Sequence, residues 1–129
     1  MSEKSTKSTR VSGWKCREYV QRKQPFHNSN KQLYGKWEGD LYVVYSYGPH
    51  WPLYINWKGV WFKNKDKYSP TTNKHSSQAN PLVGTVPLDQ SLMVLLLAKE
   101  RPCPEMVVMA AQLKLLPDSL IPEVTKARL

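Results

Sequence analysis

Residues 41–81 read LYVVYSYGPHWPLYINWKGVWFKNKDKYSPTTNKHSSQANP. The first half of this stretch alternates. Leu41, Val43, Tyr45 and Tyr47 interleave with Tyr42, Val44 and Ser46, the period of two that a strand requires, in residues that favour strands. Gly48-Pro49-His50 supplies a reversal. Trp51, Leu53, Ile55 and Trp57 then interleave with Pro52, Tyr54 and Asn56. Pro52 has no N–H to donate and belongs at a strand start or an edge. Lys58-Gly59 is a two-residue connection into Val60-Trp61-Phe62, and glycine accepts the positive φ of a tight hairpin. The pattern predicts an antiparallel meander of three strands, or four with a strand over 32–38. Such a sheet buries one face. Tyr42, Tyr54 and Trp61 fall on the other, which either meets solvent as a stacking surface or is covered by later helices.

The second half is polar. Ser69-Pro70 is a helix start, serine as the cap and proline at the first helical position, and Pro81 closes the segment. Between the two prolines Ala79 is the one apolar side chain. Helix propensity is poor, so the segment is either a short helix fixed from outside or a loop. Hydroxyls at a helix N-terminus with lysines nearby make a natural anion site. Lys63, Lys65, Lys67 and Tyr68 lead into it, Thr71 and Thr72 lie in its first turn, and Lys74 and Gln78 share a face with His75 beside them. These nine residues are the candidate contacts for nucleic acid or another partner. A segment this polar is expected to bury little, so replacing Lys74 and His75 together is expected to leave the fold intact.

Charge supports the same region. The net charge is +9 over 129 residues. Residues 1–79 carry 14 basic and 5 acidic side chains, and residues 80–129 are neutral with 5 of each. Every aromatic residue lies between Trp14 and Tyr68. A basic, aromatic module over 13–81 is therefore followed by an aliphatic part over 82–129, and residues 1–12 form a polar, basic tail expected to be disordered. A field of this sign attracts polyanions.

In the aliphatic part, Asp89 can cap a helix running to about Lys99, and Pro104-Glu105 opens a second over 104–116. Leu120 to Ala127 is either a third helix or a frayed end. Val107, Val108, Ala110, Ala111, Leu113 and Leu115 make the second helix apolar around most of its circumference, which marks it as buried. These helices pack on the sheet, or on a second subunit as a homodimer through 88–116. The expected fold class is α+β: a three- to four-stranded antiparallel sheet, a short polar helix or turn, and a C-terminal pair of helices.

Between 13 and 34, Trp14, Tyr19 and Val20 suggest a short helix that Pro25 ends, with Phe26 and Leu33 anchoring the turn His27-Asn28-Ser29-Asn30 to the core. Cys16 and Cys103 are too few and too distant for a disulfide framework. The longest apolar run, 92–98, falls far short of the roughly 20 residues that cross a bilayer. No membrane contact and no cofactor are expected. His27, His50 and His75 form no metal-ligand spacing, and the basic half holds too few acids for a two-metal site.

Val43-Val44-Tyr45-Ser46-Tyr47-Gly48, Trp51-Pro52-Leu53, Trp61, Asp66-Lys67-Tyr68-Ser69, Thr71-Thr72, Lys74-His75, Gln78 and Pro81, with Gln24-Pro25-Phe26, Ser29-Asn30 and Gly35 before them, resemble a family of small uncharacterised domains encoded by bacteriophages and mobile elements. Its motifs run YVVYSYG-x-HWP and KYS-x-TT-x-KH-x-x-Q-x-x-P. The likeness covers about residues 17–81. It implies a phage or mobile-element origin and one compact α+β domain, and it transfers no functional residue; the two distant cysteines fit a reducing cytoplasm, the host's if the chain is phage-encoded.

Three functions fit. The first is non-catalytic binding of RNA or DNA through 63–78. The second is docking on a host protein, such as a defence or transcription factor. The third is metal-independent ribonuclease chemistry, with His75, Lys74, Tyr68 and Thr72 serving the 2′-hydroxyl and the phosphorane.

Overall fold

The computed structural model describes residues 8–66 and 70–117. Seven strands pair in chain order into one sheet: β1 (Thr9–Arg10), β2 (Phe26–His27), β3 (Leu33–Glu38), β4 (Leu41–Ser46), β5 (Pro52–Trp57), β6 (Val60–Asn64) and β7 (Thr85–Leu88). The five strands from β2 to β6 are antiparallel, while β1 joins β2 and β7 joins β6 in parallel. Four α-helices accompany them among the described residues: α1 (Cys16–Gln21, after a 3₁₀ turn Gly13–Lys15), α2 (Pro70–Gln78), α3 (Gln90–Lys99) and α4 (Pro104–Gln112).

The expectation of a three- to four-stranded antiparallel sheet is thereby corrected: the fold is α+β, and the sheet is seven-stranded and mixed. The reason is physical. β1 and β2 are two residues long and carry no readable period. β7 contains Pro87, which reads as a linker residue. Pro87 is tolerated because β7 is an edge. Parallel pairing also depends on crossovers, a long-range event with no local signature.

Both faces of the sheet are covered, and every residue of β4 and β5 is buried. Leu41, Val43, Tyr45, Ile55 and Phe62 pack with Met93 and Leu96 of α3 and with Met106, Val107 and Ala110 of α4. On the opposite face Tyr42, Val44, Tyr54 and Trp61 pack with Cys16 and Val20 of α1 and with Ala79 beyond α2. The aromatic face is thus closed by the helices of the two crossovers, and the aliphatic helices take the other side. The strict alternation over 51–57 fails at one point. Tyr45 pairs with Pro52 and Val44 with Tyr54, so a bulge skips Leu53 and turns it to the aromatic face.

The buried phenols are satisfied: Tyr42 donates to the Gln24 carbonyl (2.6 Å), Tyr45 to Glu38 Oε2 (2.8 Å) and Tyr54 to the Ser76 carbonyl (2.8 Å). Burial pushes all three phenols above their ordinary range. Trp61 meets the edges of Tyr42 and Tyr54 at centroid distances of 6.1 and 6.3 Å. Gly35 leaves the space this layer needs, since a Cβ there would lie 2.5 Å from the Tyr42 hydroxyl and 2.7 Å from the Phe26 ring.

A candidate polyanion site at the carboxyl ends of the strands

The pairing directions make β1, β2, β4, β6 and β7 run the same way. Their carboxyl ends, with the connections over 28–32 and 47–51 and the strand exit 65–66, therefore share one rim of the sheet. Hydrogen bonds join these connections. The Tyr47 N–H donates to the Gln32 carbonyl (2.7 Å), the Gln90 side-chain amide to the His50 carbonyl (2.7 Å), and the Lys65 N–H to the Leu88 carbonyl (2.8 Å). At β6 and β7 the topology divides. β6 leads to α2 on the aromatic face, and β7 leads to α3 on the aliphatic face. Neighbouring parallel strands whose connections leave to opposite faces open a crevice outside their carboxyl ends, the usual position of ligands in open parallel sheets.

The helices that follow β6 and β7 at this rim, α2 and α3, differ in the chemistry of their N-termini. α3 is neutralised by the chain itself. Asp89 Oδ1 accepts from the Leu92 N–H (2.9 Å) and Asp66 Oδ2 from the Gln90 N–H (2.8 Å). Asn64, buried at the end of β6, donates to the Pro52 carbonyl (3.1 Å) and to Gln90 Oε1 (2.6 Å), and accepts from the Asp66 N–H (2.9 Å). The first turn of α2 has no acidic residue, and it follows the strand exit that bears Lys63 and Lys65.

α2 is held from below and behind. His75 Nδ1 lies 2.8 Å from Ser46 Oγ, Tyr54 reaches the Ser76 carbonyl, and Arg17 donates to the carbonyls of Ser77 (2.8 Å) and Asn80 (2.9 Å). Gln21 donates to the Pro81 carbonyl (3.0 Å). The bonds to the Ser76 and Ser77 carbonyls satisfy groups that a helix end leaves unpaired, and together the contacts fix a segment whose own propensity would not hold it.

The nine candidate residues do not share one exposed surface. Lys65 and Lys74 are exposed and Lys63 is half-buried. His75 is 3% exposed and Gln78 is 9% exposed, so both turn toward the sheet while Lys74 and Ser77 point outward. Thr71 and Thr72 belong to α2, and Lys67 and Tyr68 lie outside the described residues. The His75 ring packs 5.5 Å from the Tyr47 ring. Desolvation, and after it the neighbouring Lys74 charge, hold its pKa below the ordinary value. The expectation that the segment buries little is corrected: removing the His75 ring opens a buried contact with Ser46. A ribonuclease base at His75 is sealed from a solvent-borne phosphate in this arrangement. Sequence reasoning missed Asn64, Asp66 and Gln90, which organise the rim. Their roles rest on contacts 24 and 26 residues apart in the chain, for which no local signal exists.

Among the described residues no group of three or more His, Cys, Asp or Glu side chains is arranged to hold a metal ion, and no helix is long and apolar enough to cross a membrane. The Cys16 thiol is buried and its pKa raised by desolvation, the setting of an inert core cysteine. Comparison of the chain with family models, with curated proteins and with solved structures gives no match.

Proposed function

We propose that the protein is a non-catalytic nucleic-acid-binding protein. In this reading a backbone phosphate sits at the N-terminus of α2, and Lys63, Lys65 and Lys74, with Lys67 of the intervening run, supply the surrounding charge. One observation carries the reading. Of the two helices that follow β6 and β7, α3 has its Leu92 and Gln90 N–H groups engaged by Asp89 and Asp66, whereas α2 follows a lysine-bearing strand exit and has no acid in its first turn. Helix N–H groups and their dipole favour a phosphate at such a position. His75 and Gln78 act here as supports that seat α2, and the ligand is met by the lysines.

The test is fluorescence anisotropy with labelled single-stranded RNA, single-stranded DNA and duplex DNA across a salt series with EDTA present. Binding is expected to weaken as salt rises, and the combined Lys65→Glu and Lys74→Glu substitutions are expected to reduce the logarithmic salt slope by about 2, roughly one per lysine. Arg101→Glu, beyond the far end of α3, should leave the slope unchanged. The probe stays intact throughout. Binding that ignores Lys65→Glu and Lys74→Glu in the folded protein would overturn the assignment, and cleavage of the RNA in EDTA would replace it with the ribonuclease reading.

A further inference from the structure

The three most exposed large apolar side chains among the described residues are Trp14 (63%), Leu82 (61%) and Val83 (56%). They are far apart in sequence, and hydrogen bonds tie together the segments that carry them. Trp14, Arg17 and Gln21 stand at i, i+3 and i+7, one stripe of the 3₁₀ turn and α1. The Arg17 guanidinium lies 5.6 Å from the centre of the Trp14 ring, and the same group donates to the Asn80 carbonyl. Gln21 donates to the Pro81 carbonyl. Asn80 Oδ1 in turn accepts from the Leu82 N–H (2.8 Å). The stripe on α1 and the segment 80–82 are therefore tied together, with Val83 next along the chain.

That surface is rigidly presented. Leu82 has φ of +60°, a region a branched side chain occupies only when its surroundings impose it. Here Pro81 is buried, and the Asn80 side chain closes a turn on the Leu82 N–H. Arg17 is committed to two backbone carbonyls and to the indole, which holds Trp14 in place without covering it. Isolated exposed apolar side chains are ordinary, but a connected group built around a Trp–Arg pair has the composition of an interface centre. The segment that bears Trp14 is basic: residues 13–23 carry Lys15, Arg17, Arg22 and Lys23 against Glu18.

We infer that the Trp14–Leu82–Val83 surface docks a protein segment that is apolar at its centre and acidic at its edges. Charge complementarity selects this occupant. A second copy of the chain in a two-fold dimer would set this basic segment against the same basic segment of its partner. Nucleic acid has no use for two exposed aliphatic side chains beside the stacking ring. An acidic, apolar-centred peptide neutralises the basic segment and covers Trp14, Leu82 and Val83 together. The surface lies on the outer side of α1 and at the C-terminal end of α2, away from the phosphate position proposed above, and the inference stands without that reading.

The experiment is selection of a displayed random-peptide library on the immobilised full chain, followed by affinity measurement with the synthesised winners. Winners are expected to carry Asp or Glu flanking large apolar residues. Trp14→Ala and Leu82→Asn are each expected to weaken them about tenfold or more, with the unfolding midpoint retained. Asparagine is chosen because it tolerates the left-handed backbone. Lys65→Glu with Lys74→Glu should leave peptide binding intact. The inference is overturned if no peptide is enriched, or if the winners are not acidic, or if they ignore both substitutions. It is also overturned if the chain instead cosediments with phosphatidylcholine–phosphatidylserine vesicles, or self-associates, in a way that Trp14→Ala abolishes.

Discussion

α2 and α3 leave neighbouring parallel strands at the same rim, yet they are made by opposite means. α3 carries its own instructions: Asp89 caps it, and Met93 and Leu96 bury an apolar side against the sheet. α2 is polar along its length, opens on Pro-Thr-Thr-Asn, and is held by groups that belong to other elements: Arg17, Gln21, Ser46 and Tyr54. One helix is thus fixed by its own sequence and the other by its neighbours. At α3 the N–H groups of Leu92 and Gln90 are taken by its cap Asp89 and by Asp66 from the exit of β6. A helix anchored along its inner side and at its C-terminal end by other elements has a sequence released from the usual demand for an apolar stripe.

The comparison can be broken or sharpened in three ways. The largest effect is expected at Leu96, fully buried between α3 and the sheet. Leu96→Ala should cost about 2–5 kcal/mol and lower the denaturant midpoint of the whole domain, because α3 is tied into the common core. Arg17→Ala should cost about 1–2 kcal/mol for two charge-assisted bonds at a partly exposed site. Its signature is local: amide exchange should accelerate in α2 and leave α3 unchanged. Equal acceleration in both helices would show that α2 is not held from outside.

The smallest effect is the pH dependence conferred by His75. Burial lowers its pKa from the ordinary 6.5, so between the folded and unfolded pKa values the unfolded chain binds the extra proton. Stability from this group is complete above about pH 6.5 and declines as pH falls below it, levelling off under the folded pKa. His75→Gln should flatten that part of the stability–pH profile. A slope unchanged by the substitution would assign it to another group.

What the sequence shows about this molecule follows the reach of each interaction. Leu41 to Tyr45 announced a strand because alternation is local. Lys58 and Gly59, with φ of +49° and +90°, announced their hairpin, and Asp89 and Pro104 announced the helices that follow them. β7 was hidden by Pro87, and β1 and β2 by their two-residue length. Leu53 was assigned to the wrong face because a bulge is decided by the pairing of two strands. The lysines of the candidate site were visible as a run, but the inward turn of His75 and Gln78 was not. A polar helix has no apolar stripe to betray its buried side, and that side is chosen by Ser46, Tyr54 and Arg17, the nearest of them about twenty residues away.

The strand order has a last consequence, for the way the chain acquires its shape. Each strand of the sheet lies beside its immediate predecessor, so five consecutive strands are added as hairpins, with short loops to close and little entropy lost at each step. During synthesis every new strand from β3 to β6 meets a partner that has already emerged, and only the two edge pairings wait for a helix to cross. The sheet is thus laid down like courses of brick, and the stretch that waits longest for its neighbours, β6 through α2 to β7, is the one that frames the proposed phosphate position.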